Sequence, residues 1–66
     1  MGYRIREVRE AKRMSQSELA KKSGVSRGII WALETDPNAE TTTKTLKKIA
    51  EALGTTVSDI FFEFDV

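Results

Sequence analysis

Neither cysteine nor histidine occurs in the 66-residue chain. Those two absences remove disulfides, thiol nucleophiles, imidazole bases and any zinc site built on Cys or His. Only a carboxylate-based active site remains open to an enzyme, and Glu7 and Glu10 are the pair that comes nearest to one. They lie three apart on a basic, solvent-facing stretch with no pocket implied around them, so no enzyme, metal or cofactor is expected. Long apolar runs are missing too. The longest, residues 29–33, falls far short of the roughly 20 residues that cross a bilayer. The start of the chain has no apolar core of a secretory signal, and Arg6 stands where a myristoylation motif behind Gly2 needs Ser or Thr. A cytoplasmic location away from membranes is the expectation. No linker, repeat or low-complexity segment divides the sequence, which reads as one domain over residues 1–66.

The composition is 39% hydrophobic and 32% charged, too apolar for disorder and ordinary for a folded domain. A domain this small buries only about 60% of its unfolded surface, and it lacks the disulfides or metal that often reinforce small scaffolds. A second copy of the chain is therefore expected as a partner. Net charge is only +1, but it is unevenly spread. Residues 1–33 hold eight basic against three acidic side chains, a net +5, and residues 34–66 hold three against seven, a net −4. One basic half suits a polyanion.

Apolar spacing and capping residues divide the chain into about five short helices. The first covers roughly residues 4–13, with Ile5 and Val8 on one stripe and Ala11 behind them. Ser15-Gln16-Ser17-Glu18 is a capping box that opens a second helix, Leu19 and Ala20 inward and Lys21 and Lys22 outward. Gly24 fits the left-handed position that ends it. Ser26 caps a third helix with Ile30 and Leu33 inside, running to about Glu34. Asp36-Pro37-Asn38 forms a turn. A fourth helix carries Leu46, Ile49, Ala50 and Leu53 and stops at Gly54; Thr56 and Asp59 open a last turn through Ile60 and Phe61. Residues 62–66 alternate apolar and acidic, the period of a strand.

The second and third helices, about residues 16–34, flank a tight Gly-centred turn plugged by Val25. This is the geometry of a helix-turn-helix, whose second helix enters a DNA major groove. The stretches Ile5-Arg6-Glu7-Val8-Arg9, Ser15-Gln16-Ser17-Glu18-Leu19-Ala20, Gly24-Val25-Ser26-Arg27, Leu33-Glu34 and Leu46-Lys47-Lys48-Ile49-Ala50 closely resemble the Cro/phage-repressor-type (XRE-like) helix-turn-helix family. The resemblance implies an all-α, five-helix DNA-binding domain, here with a short C-terminal strand added. It also implies a homodimeric regulator of transcription, a repressor, on a palindromic double-stranded operator. Three departures from the family pattern stand out. The loop after the third helix, Thr35-Asp36-Pro37-Asn38-Ala39-Glu40, is acidic and one residue longer; Gly28 replaces a base-reading polar side chain; and residues 62–66 extend the domain.

The DNA-contacting set expected from this reading is Ser15, Gln16 and Ser17 at one helix N-terminus and Ser26, Arg27, Gly28, Trp31 and Ala32 on the next helix. Gln16 resembles the family glutamine that anchors a phosphate, at a helix end that favours anions. Arg27 either pairs with guanine O6 and N7 or meets a phosphate. Gly28 points outward and either allows close approach to DNA or is a permissive first turn. Trp31, also on the outer face, either packs on thymine methyls and sugar edges or folds back onto the following loop. Glu34, in a last turn where the helix dipole disfavours a carboxylate, needs a cation, and Arg9 is the family-matched partner. Phe62, Phe64 and Val66 share one face of the C-terminal strand and form one expected dimer interface; in the competing reading the tail folds back on its own helices, and the helix ending at Leu53 and the turn after it join the two copies. The rival reading of function is an antitoxin-type module that binds a partner protein through the C-terminal segment.

Overall fold

The computed structural model describes residues 3–36 and 38–61. Five helices follow in chain order: α1 Ile5–Ala11, α2 Gln16–Ser23, α3 Arg27–Thr35, α4 Thr43–Leu53 and α5 Val57–Ile60. Among the described residues there is no sheet, only an isolated antiparallel bridge between Tyr3 and Phe61. The fold is the all-α one that the spacing implies. Residues 62–66, with the expected strand and its Phe62, Phe64 and Val66 face, lie outside the described residues, as does Pro37 of the expected turn.

Local chemistry accounts for most helix ends. The Ser15 hydroxyl accepts from the Glu18 amide at 3.0 Å and the Glu18 carboxylate accepts from the Ser15 amide at 2.9 Å. That backbone hydrogen bond, helped by the hydroxyl, holds the Glu18 carboxyl below the usual glutamate range. α2 ends at Gly24, whose φ of 75° is the left-handed geometry that a side chain disfavours. Ser26 caps α3 by accepting from the Ile29 amide, and Thr42 caps α4 by accepting from that of Thr45. At α5 the Asp59 carboxylate gathers the Thr55 hydroxyl, the Thr56 hydroxyl and the Thr56 amide, and these bonds lower its pKa.

α1 is shorter than its sequence pattern. It stops at Ala11, and Arg13 takes a φ of 56°, which no right-handed helix passes through. Its inner stripe also differs from the expected one. Ile5 and Arg9, one turn apart, are buried; Val8 is half-buried and Ala11 is exposed. Ile5 then joins Leu19, Val25, Ile30, Leu33, Leu46, Ile49, Leu53 and Ile60 in one continuous core. α4 is the central strut, packed against α1, α2 and α5, while α3 rests on α1 and α2. The two ends of the described chain are clasped together. The Arg4 amide donates to the Ile60 carbonyl at 2.9 Å, the Tyr3 and Phe61 rings stack at 5.2 Å, and the Tyr3 hydroxyl donates to the Ala39 carbonyl at 2.8 Å.

Candidate nucleic-acid interface

α2 and α3 are separated by three residues, Gly24, Val25 and Ser26. Val25 is buried in the angle between the helices, and its amide is held by the Ser23 hydroxyl at 3.2 Å. Ile30 and Leu33 fix α3 from beneath, both buried. The other side of α3 faces solvent along its length.

The orientation of α3 is locked at its far end by a buried ionic cluster. Arg9 from α1 grips Glu34 with two parallel hydrogen bonds, Nε to Oε2 at 2.8 Å and Nη2 to Oε1 at 3.1 Å. The side chains of Arg9 and Glu34 are only 11% and 2% exposed. Arg9 Nη1 donates to the Met14 carbonyl at 2.7 Å, and Gln16 Nε2 donates to Glu34 Oε1 at 2.9 Å. The Glu34 hydrogen bonds raise the Arg9 pKa, so its charge persists at any pH the fold survives. One carboxylate thereby ties α1, α2 and α3 together. The sequence pairs Arg9 with Glu34, but it gave no sign that Gln16 would join them, because the contact spans 18 residues and depends on where α2 sits.

The other side chains of the expected set lie as follows. Ser15 and Ser26 are the exposed N-caps of α2 and α3, and Ser17 is exposed in the first turn of α2. Gln16 is partly buried with its amide directed at Glu34, so its position at the helix end is fixed from within the domain. Arg27 and Gly28 are exposed at the start of α3, and Ala32 is half-buried. Trp31 is 58% exposed on the outer face. Ile29, which the sequence shows only as part of an apolar run, is 44% exposed on the same helix. The helical wheel carried that signal, since placing Ile30 and Leu33 inward turns Ile29 toward the rim.

The electrostatics follow from the same cluster. Glu34 is the only acidic residue of α3, and its carboxylate is inside and paired. The exposed charges on α2 and α3 are Lys21, Lys22 and Arg27 against Glu18. The outer face of α3 therefore shows solvent no negative charge. Among the described residues no helix is long and apolar enough to cross a membrane.

A buttressed, solvent-facing second helix behind a tight Gly turn defines a helix-turn-helix DNA-binding domain. The family model described as helix-turn-helix matches residues 5–60, and the chain belongs to that Cro/phage-repressor (XRE-like) family of DNA-binding regulators. No curated protein matches the chain.

Proposed function

We propose that the protein is a sequence-specific repressor that binds a palindromic operator as a homodimer, with α3 in the major groove of each half-site. The observation that carries this reading is the rigid presentation of α3. Its inner side and far end are fixed by the core and by the Arg9–Glu34 grip, and its outer face is open and free of negative charge. Gln16 and Ser17, in the first turn of α2, have amides without acceptors inside their own helix, which suit a phosphate oxygen. Ser15 and Ser26 lie beside the same backbone path. Arg27 is the one side chain of α3 able to pair with guanine, and Gly28, Trp31 and Ala32 form the surface that follows the groove. The described residues contain one helix-turn-helix, and successive major grooves on one side of DNA lie roughly 34–36 Å apart. Reading two half-sites takes two copies. The strand face of Phe62, Phe64 and Val66 is the proposed interface, and a chain truncated after Phe61 should sediment as a monomer where the full chain is dimeric.

Selection from random duplexes, followed by binding of the winner at several salt concentrations, tests the reading. Affinity should fall steeply as salt rises, because neutralised phosphates release counterions. Arg27→Ala should relax preference at a single base position by about 1–3 kcal/mol. Equal loss on selected and random duplexes would remove Arg27 from base reading, and failure to enrich any sequence would refute the function.

A further inference from the structure

The major groove offers each base a different partner. Guanine accepts from Arg or Lys, adenine pairs with Asn or Gln, the cytosine amino group donates to a carboxylate, and thymine presents a methyl group to apolar side chains. α3 is poorly equipped for the first three. Its sequence, RGIIWALET, has no Asn, Gln or Lys, and its one carboxylate is buried against Arg9. Besides Arg27, the polar groups that α3 exposes are the Trp31 indole N–H, a single donor that cannot also accept, and the Thr35 hydroxyl, which already donates to the Trp31 carbonyl at 2.8 Å.

The fourth partner is abundant. Ile29 and Trp31 are the exposed large hydrophobics among the described residues, and both lie on this one helix. At about 100° per residue they stand on either side of a strip formed by Gly28 and Ala32. The strip is the low ground between two apolar ridges, and a Cβ on Gly28 would meet nothing within 4 Å. Concentrated apolar exposure marks a binding surface. Its surroundings select a polyanion, since the exposed charges of α2 and α3 are mainly basic and α3 itself shows no negative charge.

We infer that α3 reads thymine methyl groups, with Ile29, Trp31 and Ala32 packing on the C5-methyls of the half-site and Arg27 as its one hydrogen-bonding base contact. This rests on the proposed DNA reading and adds the base edge that is recognised.

Deoxyuridine provides the test, because it removes the C5-methyl and leaves the hydrogen-bonding edge unchanged. Thymines of the selected duplex are replaced one at a time and binding to the full chain is measured. Each contacted methyl should be worth about fourfold in affinity, the value expected for one buried carbon, while thymines outside the half-sites should be silent. Trp31→Ala and Ile29→Ala should bind more weakly and lose sensitivity to the particular methyl that each covers. A selected site without thymine in its half-sites would overturn the inference. So would full replacement by deoxyuridine with no loss of affinity, and either result leaves the operator-binding function intact. Failure to prefer any duplex removes both. If Trp31→Ala instead dissociates a dimer of the DNA-free protein in sedimentation, the patch is a protein interface and the methyl reading is wrong.

Discussion

A glycine in a helix costs up to about 1 kcal/mol relative to alanine, and nothing inside the domain requires one at position 28. Open space surrounds the site of its missing Cβ, and it takes no left-handed conformation. Gly28→Ala should therefore stabilise the fold by about 0.5–1 kcal/mol in urea unfolding and, at the same time, weaken operator binding by crowding the groove. Stabilisation with unchanged affinity would mean that DNA does not approach there. Other single residues differ in how far the sequence reveals them. Glu34 in a last helical turn demands a cation, and the family resemblance is what names Arg9 among the eleven basic residues. Ile29 is hidden within a five-residue apolar run, and only the inward placement of Ile30 and Leu33 shows that it lies at the rim. For Gln16 the helix-end position is legible, but its grip on Glu34 follows from tertiary placement.

The helices themselves are legible wherever the cause is local. Ser15 with Glu18, Ser26, Gly24, Gly54 and Asp59 each act within four residues, and each sits where its chemistry places it. The end of α1 is the exception. Lys12 and Arg13 are good helix formers, yet the chain turns at Arg13 and delivers the Met14 carbonyl to the Arg9 guanidinium at 2.7 Å. A buried cation with donors to satisfy outweighs propensity. The caps also make stability depend on pH. The folded-state pKa values of Glu18 and Asp59 are lowered, so their contribution is present above the ordinary carboxylate range, about 4, and disappears as pH falls through the lowered values. Thermal unfolding between neutral and acid pH should show this decline, with a shallower slope in Glu18→Gln, which keeps the cap without the titration. An unchanged slope would assign the acid sensitivity elsewhere.

Taken whole, a 66-residue domain has a stability of only about 3–10 kcal/mol, and the Arg9–Glu34 cluster joins three of its helices. Removing one partner from a buried pair costs about 3–5 kcal/mol because a charge is left alone. Arg9→Met or Glu34→Leu should consequently bring the domain close to unfolding, and the double variant should recover part of the loss. Coupling indistinguishable from zero in that cycle would make the pair incidental. The same cluster fixes the angle of α3, so under the proposed function binding and stability share one support. Trp31 reports on that face directly, because it is the only tryptophan in the chain. Its emission should be followed while the full-length protein is titrated with a selected duplex and, separately, with random duplex at the same moderate salt. Insertion of α3 predicts a saturable change in Trp31 emission with the selected duplex, well below the concentration at which random duplex produces any. Tight binding of the selected duplex with Trp31 emission unchanged, or equal changes with both duplexes, would contradict reading of the groove by α3.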